Sequence, residues 1–291
     1  MSAPEKSSVA TDTDIKKLGV LAGGGDVPFK LLKACDQSGI EVFVVGFEGH
    51  TSPELFADRQ YMMTRLGAAG SVIDTLRTHK ISDIVLIGSI RRPSLAELKP
   101  DMWAAQFFAR VGLKSLGDDG LLSALKAELQ SEGFQIHGVH QFVNNLLANE
   151  GFIGQQKPKS ADQNSIKRGI EVSQLLGKAD IGQSIVIQED IVLGVEAIEG
   201  TDHLIERTGA LKRSGRGPIL IKTCKPNQDH DFDLPTIGPE TVRKCIENGF
   251  AGIIIQAGYT IIIEPEEMAA LADKDKLFIQ AVSITGDDYA A

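Results

Sequence analysis

Two segments in the second half of the chain concentrate side chains that could act on a phosphate ester or anhydride. Glu196, Glu199 and Asp202, with Thr201 among them, lie where an apolar run ends and a helical stretch begins. Further on, Lys225-Pro226-Asn227-Gln228-Asp229-His230-Asp231-Phe232-Asp233-Leu234-Pro235 follows another apolar run, and its prolines exclude a helix interior. In an extended segment Asp229, Asp231 and Asp233 would point to one side, a spacing suited to a shared hard cation such as Mg2+. Solvated loop acids would give the same pattern in isolation. Two acid clusters ending neighbouring strands, with Lys225 and Gln228 among them, favour a reaction site.

The first half offers groups for binding an anion. Gly23-Gly24-Gly25-Asp26-Val27-Pro28 joins an apolar run to a helical one, where glycine allows close backbone approach and a helix start presents N–H donors. The pattern is neither GxGxxG nor GxxxxGK[ST], so the standard dinucleotide loop and P-loop do not fit. Gly88-Ser89-Ile90-Arg91-Arg92-Pro93 follows a later strand, on the same rim of a parallel sheet, and its two arginines suit phosphate oxygens. Gly117-Asp118-Asp119-Gly120 reads as a helix start rather than a metal site. Cys35, Cys224 and Cys245 show no metal-ligand spacing, and no serine sits in a G-x-S-x-G setting.

The elements that must position these groups alternate. Apolar runs at 18–22, 41–47 and 83–87 read as strands, and helical patterns at 28–38 and 71–79 separate them. Strand–helix repetition without hairpin turns predicts a parallel, Rossmann-like sheet covered on both faces. In the second half, runs at 184–188 and 191–196 flank Glu189-Asp190 and predict a hairpin. Strands at 219–223, 252–257 and 277–282, with helices at 163–176, 201–211, 239–248 and 265–274, complete a mixed-sheet α/β domain. The expected organisation is a mobile tail at 1–15, a Rossmann-like domain at 16–148, a polar linker at 149–163 and a catalytic α/β domain at 164–291.

Composition narrows the function. With 42% hydrophobic and 24% charged residues the chain is ordinary for a globular α/β protein. A formal net charge of −9 argues against nucleic acid as a partner. The apolar runs fall short of a membrane span, the N-terminal segment lacks the apolar stretch of a signal peptide, and three scattered cysteines suit a reducing cytoplasm.

The loop 22–28, the segment 88–93, Gly117-Asp118-Asp119, Asp180-Ile181-Gly182-Gln183-Ser184, and the stretches 196–202, 225–238 and 252–258 occur here in one order. On these motifs the chain resembles, from Leu18 to its C-terminus, the soluble UDP-2,3-diacylglucosamine pyrophosphatases of bacterial lipid A synthesis, of the LpxI type. The resemblance implies Mg2+-assisted hydrolysis of a lipid UDP-sugar to UMP and 2,3-diacylglucosamine 1-phosphate, with water attacking the α phosphorus. It also implies two α/β domains with the lipid substrate between them. Contact with the inner membrane would be transient and through the substrate, and the oligomeric state, a homodimer included, stays open.

The family's essential aspartate aligns with Asp233, or next with Asp229. Where the family carries an arginine between those two acids, this chain has Asp231. The expected roles are Asp233 as metal ligand or water-orienting base, Asp229 and Glu199 as metal ligands, and Lys225 as the cation on phosphoryl charge. Gly23, Gly24, Gly25, Asp26, Arg91, Arg92, Gln228 and Thr201 would bind substrate. Two other readings stay open on the residues alone: an atypical Rossmann oxidoreductase using Gly23–Gly25 and Glu48, and a non-catalytic nucleotide-binding regulator.

Overall fold

A computed structural model describes residues 15–56, 58–91, 95–112, 118–226 and 234–284. The expected tail therefore lies outside the described residues except for Ile15, and so do Arg92, Gln228, Asp229 and Asp233. The chain divides into two compact units between Asn144 and Asn145.

The first unit contains strands β1 (Lys17–Ala22), β2 (Glu41–Phe47), β3 (Gln60–Thr64), β4 (Asp83–Ile87) and β5 (Gln135–Ile136). Helices α1 (Val27–Ser38), α2 (Ala69–Thr78), α3 (Leu95–Leu98), α4 (Met102–Val111) and α5 (Asp118–Ser131) accompany them. The strands run parallel in the order β3-β2-β1-β4-β5. Leu18, Val20, Val44, Val45, Ile84 and Val85 are fully buried, as expected of parallel strands covered on both faces. Strand order reverses between β1 and β4, so the loops carrying Gly23 and Gly88 leave the sheet side by side at its carboxyl edge.

The second unit contains β6 (Gly151–Phe152), α6 (Gln163–Lys178), β7 (Ser184–Gln188), β8 (Ile191–Val195), α7 (Thr201–Gly209) and β9 (Ile219–Lys222). It continues with β10 (Thr236–Ile237), α8 (Pro239–Glu247), β11 (Gly252–Gln256), β12 (Ile261–Ile262), α9 (Pro265–Asp275) and β13 (Phe278–Val282). The main sheet has the order β6-β13-β11-β9-β7-β8, with β9, β11 and β13 parallel and β6 and β7 antiparallel to their neighbours. Period-two alternation feeds both faces. Val186, Leu220, Ile253 and Ile255 pack with Leu204 and Ile205 of α7, Val242 of α8 and Met268 of α9. Ile185, Ile187, Ile219, Ile221 and Ile254 pack with Ile166 and Ile170 of α6.

The fold class matches the sequence expectation: a parallel sheet in the first unit and a mixed one in the second. The predicted hairpin is present, with Glu189 and Asp190 at φ 50° and 64° as a type I′ turn requires. Ser165 of α6 secures it by donating from Oγ to Asp190 Oδ1 (2.6 Å) and accepting from the Asp190 N–H (2.8 Å).

The expected linker at 149–163 needs correction, because this stretch is built into the second unit. β6 pairs with β13, the Ile153 N–H donates to Ile279 O (3.0 Å), and the Gln155 N–H donates to Asp273 Oδ1 (2.7 Å). Asp162, only 4% exposed, accepts from Arg216 Nε at 2.8 Å to one oxygen and from Arg216 Nη2 at 2.8 Å to the other. Of the polar side chains in this stretch Asp162 is buried against a protein partner, while Asn149, Glu150, Gln155, Lys157, Lys159 and Ser160 are exposed. Replacing Asp162 by Ala should therefore lower unfolding free energy by about 3 kcal/mol in a denaturant titration; a value unchanged from wild type would restore the linker reading.

Candidate functional site

In the first unit the glycine loop is fastened to the loop after β4. The Gly23 N–H donates to Ile87 O (2.7 Å), the Gly24 N–H to Ser89 O (2.8 Å) and the Ser89 N–H to Gly24 O (2.9 Å). A Cβ on Gly23 would stand 2.5 Å from Ser89 O, and one on Gly88 would stand 2.7 Å from Gly24 O. These glycines permit close approach of two backbones, and the Gly23 and Gly24 donors are engaged within the protein. Gly25 is the open position, with φ 89° and nothing within 4 Å of an added Cβ. Asp26 is exposed at the α1 N-cap position, and its side chain makes no capping bond. Thr51, which sequence reasoning missed, ties this rim together: it accepts from the Phe47 N–H (2.8 Å) and donates to Ala22 O. Arg91 extends into solvent and meets Glu97 at 3.3 Å.

The second unit has a denser polar rim. Because β7 runs against β9 and β8 runs against β7, the start of β7 and the ends of β8, β9 and β11 share one edge of the sheet. Ser184 is in register with Lys222, and the Glu196 N–H donates to Ser184 O (2.8 Å), so these three residues occupy the α7 face. Thr201, at the start of α7, donates from its hydroxyl to Glu196 Oε1 (2.8 Å) and accepts from Lys222 Nζ (3.0 Å). Lys222 also donates to Thr236 O of β10 (2.9 Å). Glu196 is 6% and Lys222 7% exposed. Among the described residues Glu196 Oε2 is buried with no hydrogen-bond partner, a condition that costs about 1–3 kcal/mol.

On the opposite face, Thr223 Oγ1 meets Ser173 and accepts from Gln174 Nε2 (3.0 Å) of α6, while Lys225 Nζ donates to Asp180 Oδ1 (2.7 Å). This last pair holds the expected phosphate cation against the loop that begins β7.

The remaining expected residues are distributed as follows. Glu199 Oε1 accepts from Arg207 Nε (3.0 Å) and Nη2 (2.7 Å), and its Oε2 accepts from the Ala197 N–H (3.1 Å). Its own backbone N–H, and then the Arg207 guanidinium, hold its carboxyl below the usual carboxylate range. Both oxygens are thus engaged, while Glu196, three residues earlier, keeps one oxygen unmet. Thr201 bridges two protein side chains. Lys222 was not foreseen, because it ends an apolar strand without any motif around it. Burial pushes the Cys35 thiol up to about 12 and raises that of Cys245, so neither is poised as a thiolate. Among the described residues no three His, Cys, Asp or Glu side chains stand together as a metal site. No helix among them is long and apolar enough to cross a membrane.

Comparison with known proteins gives a consistent result. The model of the LpxI N-terminal domain matches residues 17–146, and that of the LpxI C-terminal domain matches 149–280. UDP-2,3-diacylglucosamine pyrophosphatase LpxI of Caulobacter vibrioides is 32% identical over 276 residues, covering 92% of this chain and 98% of the relative. Solved structures are far more distant. CobK precorrin-6A reductase aligns with TM-score 0.34 and 10% identity over 93% of this chain and 90% of its own. The ADP-bound biotin carboxylase domain of a thermophilic 2-oxoglutarate carboxylase has TM-score 0.21 and 15% identity; the alignment spans 59% of this chain and 34% of that one. Neither likeness carries an argument about fold or activity.

The Glu199 environment makes a prediction about pH. A carboxyl held below its ordinary 4.5 contributes stability that is fully present above that value and fades as pH falls through the lower folded value. Glu199→Gln should melt below wild type above pH 4.5, with the gap closing as the pH falls below that value. A gap independent of pH would show that Arg207 does not depend on the Glu199 charge.

Proposed function

The chain belongs to the LpxI family, and from that premise we propose that it hydrolyses the pyrophosphate bond of UDP-2,3-diacylglucosamine in lipid A biosynthesis. The products are UMP and 2,3-diacylglucosamine 1-phosphate, formed by water attacking the α phosphorus. The observation that carries this reading is the match of both LpxI domains along the chain, together with 32% identity to a relative named for that activity.

The proposed roles divide as follows. Hydrolysing a diphosphate needs donors for its oxygens, a cation for the charge that develops, and a group that orients water. In the second unit Lys225, fixed by Asp180, is the cation for phosphoryl charge. Asp233 orients the water, and Asp229 and Gln228 complete the same segment; these three roles rest on the sequence and the family alone. In the first unit Gly25, Asp26 and Arg91 bind substrate beyond the Gly23–Gly24 clasp, and Arg92, next in sequence, takes the same role on the sequence alone. Glu199 enters as the anchor of Arg207 and Thr201 as a bridge, since their polar atoms are already engaged.

Mg2+ assistance belongs to the proposal through Asp229 and Asp233. The described acids do not form a metal site by themselves, so no step is assigned to the ion. The enzyme works in the cytoplasm. With a net charge of −9, it touches the inner membrane only transiently, through the substrate's acyl chains.

Purified protein given UDP-2,3-diacylglucosamine and Mg2+ should release UMP, and a chelator should stop the release until Mg2+ is restored. Asp233→Ala should keep the wild-type circular dichroism spectrum and lose roughly 10³-fold or more in kcat. Near-normal turnover by that variant would remove Asp233 from the mechanism.

A further inference from the structure

The unmet oxygen of Glu196 is fixed in place on every side. The backbone is pinned by the Glu196 N–H bond to Ser184 O (2.8 Å) and by Gly182, where a Cβ would fall 2.2 Å from Glu196 O. The side chain is pinned at Oε1 by Thr201 (2.8 Å), which Lys222 Nζ steadies from 3.0 Å. A carboxylate held in this way cannot turn to find its own donor, so Oε2 selects what approaches it.

The chemistry of that partner follows from its surroundings. The Lys222 ammonium, one hydroxyl away, supplies counter-charge; Oε2 therefore lacks a donor more than it lacks a cation, and a dication would sit near an existing positive charge. A diphosphate presents acceptor oxygens and would be repelled. The rest of the proposed substrate is different: ribose hydroxyls, the uracil imide N–H and the sugar hydroxyls are all neutral donors.

We propose that Glu196 Oε2 receives a hydroxyl or N–H of the substrate's uridine or glucosamine moiety, away from the diphosphate, with Thr201 and Lys222 as positioning residues. This inference rests on the function proposed above. It makes Glu196 a specificity determinant: an analogue without the matching donor would leave a buried carboxylate oxygen unpaired.

The experiment measures, by calorimetry, the affinity of the full chain for UMP and separately for 2,3-diacylglucosamine 1-phosphate. The variants are Glu196→Gln, Thr201→Val and Thr201→Ser, with Mn2+ affinity followed in parallel. Glu196→Gln and Thr201→Val should weaken one of the two products by about 10- to 100-fold and leave the other within about 3-fold. The product affected identifies which moiety supplies the donor, and Thr201→Ser should retain wild-type affinity. Wild-type affinity for both products in Glu196→Gln overturns the proposal. So does an equal loss of both in variants with lowered melting temperature, which marks a structural role. A loss of Mn2+ affinity with both products retained overturns it in favour of a metal ligand. Wild-type protein that neither hydrolyses the substrate nor binds either product removes the functional reading itself, an outcome separate from failure of Glu196 alone.

Discussion

Two opposite charges buried one hydroxyl apart organise the second unit's carboxyl edge. Glu196 follows directly on β8, Thr201 begins α7, Lys222 ends β9, and Lys222 reaches on to the backbone of β10. Taking either ion out of water is costly, and leaving one without the other is costlier still, so the three elements keep their spacing or lose the arrangement together. Antiparallel β7 makes this possible: it lets β8 and β9 end at the same rim with only one strand between them. The polar groups are thus a consequence of strand order, and the apolar alternation below them supplies the rigid support.

The first unit solves a related problem chiefly with backbone, helped by the Thr51 hydroxyl. At the point where strand order reverses, two glycine loops approach more closely than any side chain would allow, and their mutual hydrogen bonds close the gap. Glycines in one short run therefore do different work. Gly23 and Gly24 join the loops, and Gly25 remains open beside the start of α1. A row of glycines read as a phosphate cradle is, in its first two positions, a fastening.

Much of the architecture was legible in the residues. The strands 41–47, 83–87 and 184–188 have the expected bounds, because long apolar runs between turn residues leave few alternatives. β3 was not foreseen: it is an edge strand whose Tyr61 and Met63 face solvent, so no buried face imposes a pattern. β6 and β10 are two residues long, too short for any period. At the rim of the second unit, composition singled out the acid segment 196–202; the segment 227–233 lies outside the described residues. Glu196 and Glu199, however, are the same residue type three positions apart, and only their partners separate an engaged carboxylate from one with an oxygen to spare. Lys222 was invisible because a buried lysine at a strand end carries no local signature.

Family membership supports the pyrophosphatase reading, and the proposed reaction has water cleave the anhydride on its uridylyl side. The location of solvent oxygen in the products tests this most directly. Turnover of UDP-2,3-diacylglucosamine in ¹⁸O-labelled water, followed by mass spectrometry of both products, should place the label in UMP and leave the lipid 1-phosphate unlabelled. Label in the lipid 1-phosphate would mean attack on the other phosphorus and would contradict the account.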